Sequence, residues 1–148
     1  MRGLITLIGS DADLSQSIAS AQRLITPPPS YPFILAARAQ KVPLLVVTSS
    51  SRGAEDLASE LRELHSTVFE FPAWETLPHE KLSPRSDTVA QRVSTLRSLT
   101  SATYKDHPIV VAPIRALIHK FIADLGKGAE IELEIGKEID LTTGKIKG

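Results

Sequence analysis

The residues best placed for chemistry are hydroxyl and charged side chains that directly follow apolar stretches. The stretch Thr48-Ser49-Ser50-Ser51-Arg52-Gly53 follows the apolar residues 44–47. Hydroxyls and backbone N–H groups at the start of a helix can hold an anion. The same hydroxyls are explained more simply as helix caps. A nucleotide-binding α/β domain with a non-standard phosphate site at this loop therefore stays an alternative.

The recognised nucleotide motifs are missing from the sequence. It contains neither G-x-x-x-x-G-K-[ST] nor G-x-G-x-x-G, the glycine patterns that let backbone N–H groups close on phosphate. The loop Thr26-Pro27-Pro28-Pro29-Ser30, after the apolar pair Leu24-Ile25, has three prolines without an N–H to donate. The loop at Ala112-Pro113 lacks the acidic pair that holds magnesium and water in nucleotide hydrolases. We expect no cofactor and no catalytic residue in these loops.

Metal ligands and covalent nucleophiles are not signalled either. The sequence has no cysteine, which excludes disulfides, thiolate metal sites and thiol catalysis. Its histidines form no i, i+4 pair and no H-E-x-x-H motif, and G-x-S-x-G is missing. We therefore predict no metal site. Surface or packing roles are predicted for all four histidines: His65, His79, His107 and His119.

One long segment, residues 71–87, is unusual for a connector. It contains the only tryptophan together with Pro72, Pro78 and Pro84, and it is too long and too apolar for a plain loop. One interpretation is an ordered loop over the sheet edge, plugged by Trp74 and Leu77. The other is a surface that contacts a partner protein or DNA. The candidate interaction residues are Trp74, Glu75, Leu77, Pro78, His79, Glu80, Arg85, Asp87 and Arg92.

The charge balance favours a protein partner over nucleic acid. The 148 residues include 17 basic and 17 acidic side chains, for a net charge of zero, which argues against a nucleic-acid arm or a polybasic membrane anchor. DNA binding stays a third possibility, through phosphate contacts from basic side chains. The side chains for that role are Arg85, Arg92, Arg97 and Arg115. No apolar run is long enough to span a bilayer and no signal peptide is recognised, so we expect a cytoplasmic protein without a membrane partner.

The elements that must position these residues alternate between helix and strand. In the first half, residues 43–48 are continuously apolar, which predicts a central parallel strand covered on both faces. Helices are predicted from a cap at Asp13 to about Arg23, and from Pro32 to about Gln40. A third helix has Ala54, Leu57, Ala58, Leu61 and Leu64 on its inner face.

The second half repeats the pattern. Residues 68–71 and 109–112 are predicted strands, and residues 130–135 alternate as an edge strand does. Ser86 is predicted to cap a helix, and Pro113 to lie in the first turn of another. The first of these has Val89, Val93, Leu96 and Leu99 inward and Arg92 and Arg97 outward, and the second has Ile114, Leu117, Ile118 and Phe121 inward. The alternation predicts a three-layer α/β fold, a parallel sheet with flanking helices.

Residues 71–99, FPAWETLPHEKLSPRSDTVAQRVSTLRSL, resemble the N-terminal region of the bacterial transcription-repair coupling factors, the Mfd family. The resemblance is carried by W-E-T-L-P, L-S-P and D-T, followed by an R-x3-L-x2-L helix. Residues 44–64 and 109–118 resemble the strand–helix units on either side of that motif in the family. The resemblance covers about residues 24–141.

The resemblance implies a fold as well. In that family the N-terminal region is similar to the excision-repair subunit UvrB, so residues 1–126 would be domain 1a and residues 127–148 the start of domain 2. The fold would be helicase-like with a degenerate P-loop, because Thr26-Pro27-Pro28-Pro29-Ser30 stands at the place of the phosphate loop without its glycine and lysine. Residues 74–85 stand where UvrB has a tyrosine-rich hairpin and contain no tyrosine, so damage handling by base stacking is not expected.

The function implied by the resemblance is a non-catalytic scaffold and interaction domain in transcription-coupled nucleotide excision repair. Members of the family displace stalled RNA polymerase and recruit UvrA. Their ATP- and magnesium-dependent DNA translocase, a helicase-like hydrolase, is a separate module. We expect this chain itself to be no enzyme. Its implied partners are UvrA, mainly through domain 2, and other domains of the same protein, while RNA polymerase and DNA are reached through the full-length protein.

Overall fold

The strands of the main sheet are short, apolar and parallel. The computed structural model describes residues 2–75, 85–101, 104, 106–118, 139–140 and 145–146. Within them, β1 (Leu44–Thr48), β2 (Val68–Glu70) and β3 (Ile109–Pro113) form a parallel sheet in the order β1-β3-β2. Leu44 and Val68 both pair with Ile109, so the strands begin at one level. The predicted α/β class with a parallel sheet is confirmed.

Helices flank this sheet. They are α1 (Arg2–Ser10), α2 (Ala12–Ser20), α3 (Tyr31–Ala39), α4 (Ser51–Leu64), α5 (Ser86–Ser101) and α6 (Ile114–Ile118), with a 3-10 turn at Pro28–Ser30. Two short strands, β4 (Ile139–Asp140) and β5 (Lys145–Ile146), form a separate antiparallel pair. The predicted strand at residues 130–135 and the predicted boundary between residues 126 and 127 lie outside the described residues.

The central strand is β3, not β1. β3 pairs on both sides and is almost wholly buried, whereas Leu45 and Val47 of β1 are 59% and 46% exposed. The prediction that residues 43–48 are a central strand covered on both faces is therefore wrong for the described part of the chain. A continuous apolar run predicts a strand but not its position in the sheet. The crossover connections decide which strand pairs on both sides.

The larger core lies on one face of the sheet, under α1, α3 and α4. α4 contributes Ala54, Ala58 and Leu61, each at most 1% exposed, and these follow the i, i+4, i+7 spacing of one helix face. They pack with Ile109 and Val111 of β3. The predicted inner face of this helix is confirmed, and its two alanines let the helix lie close to the sheet.

The N-terminal elements differ from the prediction in two ways. The cap of α2 is Asp11 rather than Asp13, because the Asp11 carboxylate accepts a hydrogen bond from the backbone N–H of Leu14 at 2.8 Å. The helix ends at Ser20 rather than near Arg23. The apolar pair Leu24-Ile25 that follows is not part of a strand, and Ile25 is 83% exposed. The three prolines that follow have no N–H for a β-ladder, so the chain cannot continue a strand there.

A smaller core lies on the opposite face, under α5 and α6. Phe71, Ala73, Ala112 and Ala116 are buried in it. Pro113 is the last residue of β3, paired with Thr48, rather than a residue of the next helix. α6 has five residues and, in the part described, buries Ala116, while Ile114 and Ile118 are exposed against prediction; a single helical turn cannot bury a whole stripe. Phe121 lies outside the described residues.

Candidate functional site

The proline loop is predicted to occupy the place of a phosphate loop. Pro27, Pro28 and Pro29 are exposed, and the N–H of Ser30 donates to the Pro27 carbonyl at 2.9 Å. The loop closes as a 3-10 turn that leads directly into α3. Residues 2–26, as far as the structure describes the chain before this loop, contain no strand, so the strand–loop–helix arrangement of a phosphate site is not formed by them.

The second loop, between β1 and α4, is a helix cap. The Ser50 hydroxyl accepts a hydrogen bond from the N–H of Gly53 at 3.1 Å, and the Thr48 hydroxyl donates to the Ser50 carbonyl at 2.9 Å. Two of the hydroxyls that would hold a phosphate are thus engaged in turning the chain into α4. This geometry favours the simpler of the two interpretations of the loop.

The predicted interaction segment is tied to α5 by a row of polar side chains. Thr88, Arg92 and Thr95 share one face of α5, and all three are buried; we call them the polar row. Thr88 donates to the Glu75 carboxylate, Arg92 to the Pro72 carbonyl at 2.5 Å and Thr95 to the Glu70 carbonyl at 3.2 Å. The segment from 70 to 75 therefore runs antiparallel to α5.

Arg92 is the centre of this arrangement. Its side chain is 1% exposed, and its guanidinium carbon lies 4.0 Å from the centroid of the Phe71 ring and 4.4 Å from that of Trp74. Burial lowers the pKa of the Arg92 guanidinium. Among the described residues, its Nη2 has no hydrogen-bond partner. The predictions that Arg92 points outward and belongs to an exposed surface are wrong.

The reason is the rotation of α5. The carbonyl groups of Glu70, the last residue of β2, and of Pro72, just beyond it, need donors, and the polar row supplies them. Thr88, Arg92 and Thr95 therefore face inward, while the predicted inner residues Val89 and Leu99 are exposed and Val93 and Leu96 are half-buried. The sequence does carry a signal for this face, a T-x3-R-x2-T spacing on one side of the helix, but the apolar spacing on another side competes with it.

Glu75 caps the start of α5 from outside the helix. Its carboxylate accepts from the hydroxyl of Thr88 and from the backbone N–H of Arg85 at 3.3 Å. The Thr88 hydrogen bond, with help from the N–H and charge of Arg85, lowers the pKa of Glu75 below its ordinary value despite some desolvation. Ser86, predicted to be the cap, is the first residue of the helix.

The remaining candidates divide into exposed and undescribed residues. Glu75, Arg85 and Asp87 are exposed, and Arg85 lies 3.5 Å from Asp87 in an ion pair. Trp74 is half-buried. Leu77, Pro78, His79 and Glu80 lie outside the described residues. The site is thus residues 70–75, which we call the neck, held against α5 by the polar row.

The arginine stripe considered for DNA binding does not form as predicted. Arg92 is buried among aromatic rings, and Arg97 is half-buried. Arg85 and Arg115 are exposed, but Arg85 is already paired with Asp87. Two of the four cations are therefore not presented as an open row for phosphate contacts.

A cavity of about 670 Å³ opens at the other end of the sheet, where the strands begin. Sequence reasoning missed it. His65 Nε2 lies 2.8 Å from the His107 carbonyl, and the Ser66 hydroxyl donates to the Asp106 carboxylate at 2.6 Å. These bonds join the turns before β2 and β3. The His65 imidazole thus has a packing role, whereas His107 contributes its backbone carbonyl and its residue is exposed. His79 and His119 lie outside the described residues.

In the part of the chain that the structure describes, no group of three or more His, Cys, Asp or Glu side chains is arranged to hold a metal ion. In the same residues, no helix has the length and hydropathy needed to cross a membrane.

Comparison with known proteins identifies the family. No protein-family profile matches the chain. It is 39% identical over 126 residues to the transcription-repair-coupling factor of Mycobacterium bovis and to that of Mycobacterium tuberculosis, covering 78% of this chain and 10% of each relative. The chain belongs to the family of transcription-repair coupling factors. A match to the Haemophilus influenzae member is 38% identical over 77 residues, 51% of this chain and 6% of that relative.

The family assignment confirms the resemblance found in the sequence. The chain spans about a tenth of the length of the curated relatives that it matches. What those much longer proteins do as a whole is therefore a separate question from what this domain does.

Proposed function

We propose that this chain is a non-catalytic scaffold and interaction domain of a cytoplasmic transcription-repair coupling factor, acting in transcription-coupled nucleotide excision repair. The observation that carries the proposal is the anchored neck. Three side-chain hydrogen bonds and two ring contacts hold residues 70–75 against α5, which is far more anchoring than a plain connector requires. Rigid presentation of a segment lowers the entropy cost of binding a partner.

The proposed fold relationship is that of a UvrB-like domain 1a whose phosphate loop is degenerate. The exposed prolines at 27–29 and the engaged hydroxyls at Thr48 and Ser50 support it. ATP hydrolysis, DNA translocation and displacement of RNA polymerase then belong to other parts of the full-length protein. The domain's own partners would be other domains of that protein and UvrA, the latter mainly through domain 2.

A capture experiment tests the interaction role. Immobilised UvrA is incubated with this chain and with a chain extended through the whole of domain 2. We expect capture of the extended chain and little capture of the short one. Capture of neither would overturn UvrA recruitment. Equal capture of both would move the contact from domain 2 to the domain described here.

Calorimetry with ATP and magnesium tests the non-catalytic role. We expect binding no tighter than millimolar and no turnover. Turnover that is lost on Ser50→Ala but kept in Ser59→Ala, a control on the exposed face of α4, would instead support a nucleotide site at residues 48–53.

A further inference from the structure

Arg92 is a buried cation without a carboxylate to neutralise it in the described part of the chain. The ion pairs found there involve Arg52, Arg62 and Arg85. Burying a guanidinium without an ion pair is costly, so the contacts that Arg92 makes must offset that cost. They are the two aromatic rings and the Pro72 carbonyl. An aliphatic residue would fill the same core at a lower desolvation cost, so stability alone does not explain an arginine at this position.

The contacts of Arg92 all end on the neck. Arg92 contacts Phe71, Pro72 and Trp74, which lie within four residues of the chain. The next residue, Glu75, accepts a hydrogen bond from Thr88, which lies about one helical turn before Arg92. One turn of α-helix is about 5.4 Å, so the two anchor points fix both the position and the direction of the chain between them.

We propose that Arg92 is the positioning residue of the interaction surface: its planar guanidinium orients Trp74 in the neck, and partner recognition depends on that orientation. This inference rests on the proposed interaction function. The requirement is for the guanidinium and not for charge alone. Lysine supplies a point charge on a flexible stem, whereas the flat guanidinium stacks on rings while it donates a hydrogen bond at its edge.

Trp74 is the only tryptophan, so its fluorescence reports on this residue without ambiguity. Acrylamide quenching is measured on the full 148-residue chain for wild type, Arg92→Lys and the control Arg52→Lys, whose arginine side chain is 86% exposed. We expect the quenching constant of Arg92→Lys to rise about twofold with a red-shifted emission, because lysine cannot hold the indole ring. Arg52→Lys is expected to match wild type. An unchanged quenching constant in folded Arg92→Lys overturns the proposal.

A second measurement covers the case in which Arg92→Lys does not fold. In wild type, the ring currents of Phe71 and Trp74 must shift the Arg92 side-chain protons upfield in the NMR spectrum. Thr88→Val removes only the second anchor, so it is expected to reduce these shifts and to raise Trp74 quenching by less than Arg92→Lys does. Absence of the ring-current shifts in wild type overturns the proposal.

The binding arm separates this inference from the proposed function. UvrA capture is compared for chains extended through domain 2 that carry Arg92, Arg92→Lys or Arg52→Lys. Because domain 2 is the main proposed contact and the neck a supporting one, we expect Arg92→Lys to weaken capture about threefold, and Arg52→Lys to have no effect. If wild type is not captured, the proposed partner is wrong, and the Trp74 measurement still decides the positioning role. Normal capture by a folded Arg92→Lys chain with a mobile Trp74 overturns the link between position and recognition.

Discussion

The two long helices hold the same sheet by opposite means. α4 presents Ala54, Ala58 and Leu61 to one face of the sheet in an apolar contact, with one ion pair, Arg62 to Glu70 of β2, beside it. α5 presents Thr88, Arg92 and Thr95, whose hydrogen bonds end on three residues of the neck. The start of α4 is capped by Ser50, the residue directly before it. The start of α5 is capped by Glu75, which accepts from the N–H of Arg85, ten residues further along the chain.

The two helices therefore have different roles: α4 mainly stabilises the fold, and α5 mainly fixes the position of the neck. Burial of apolar surface is non-directional, so α4 stabilises the fold without requiring one exact placement. Hydrogen bonds are directional and contribute only about 1 kcal/mol net each, so the polar row adds little stability for its size but fixes the neck. Substitutions on α4 are thus expected to change the free energy of unfolding, and substitutions on α5 to change the orientation of residues 70–75.

The largest effect is expected at Leu61, the largest of the fully buried side chains of α4. Leu61→Ala leaves a cavity against β3, so the free energy of unfolding is expected to fall by about 2–5 kcal/mol. Urea denaturation measures it, with exposed Glu60→Ala as the control. Trp74 quenching below the transition is expected to stay at the wild-type value. A loss under about 1 kcal/mol would show that α4 is not the main source of stability.

A smaller effect is expected at the local cap of α4. Ser50→Ala removes the acceptor for the Gly53 N–H, so the free energy of unfolding is expected to fall by about 1 kcal/mol. Exposed Ser49→Ala is the matched control, and hydrogen exchange in the first turn of α4 locates the change. Equal losses in both variants would contradict the role of Ser50 as the cap.

The sequence predicted the α4 side well and the α5 side poorly, and the difference between the helices explains why. The face of α4 follows from apolar spacing, a local signal that Ala54, Ala58 and Leu61 carry without reference to the rest of the chain. The inward face of α5 depends on carbonyl groups at Glu70 and Pro72, which lie 20 or more residues away in sequence. Spacing on the helix cannot show that those carbonyls lack donors, so the apolar pattern placed Arg92 outside.

The motif located the segment of the candidate site, but the geometry of the site was predicted poorly. The reason is again that its contacts join residues distant in sequence. The only tryptophan and the W-E-T-L-P resemblance located the segment, and Trp74 and Glu75 are both at the neck. Glu75 caps the helix that begins at Ser86 by accepting a hydrogen bond from the N–H of Arg85. This contact is non-local, so spacing along the sequence does not predict it. The edge position of β1 was missed likewise, because strand order is set by connections rather than by composition.

The non-local cap makes the start of α5 sensitive to pH. The folded pKa of Glu75 is lowered from its ordinary 4.5, so its stabilising contribution is present above that pH and is lost as the pH falls through the lower folded value. Glu75→Gln is expected to abolish this part of the acid dependence and to raise Trp74 quenching at neutral pH. Fluorescence titration from about pH 6 to about pH 3 measures both effects. Identical titrations of wild type and Glu75→Gln would contradict the capping role.

The smallest effect is expected at the hydroxyl of Tyr104. Tyr104 packs edge-on against Phe69 with ring centroids 5.8 Å apart. Its hydroxyl is buried without a hydrogen-bond partner among the described residues, and burial raises its pKa. Removing an unsatisfied buried hydroxyl relieves its desolvation cost, so Tyr104→Phe is expected to leave the free energy of unfolding unchanged or to raise it by up to about 1 kcal/mol. Tyr31→Phe, at an exposed tyrosine, is the control in urea denaturation. A clear fall in the free energy of unfolding of Tyr104→Phe would contradict this expectation. It would mean that the hydroxyl makes a stabilising contact, as the hydroxyls of the polar row do.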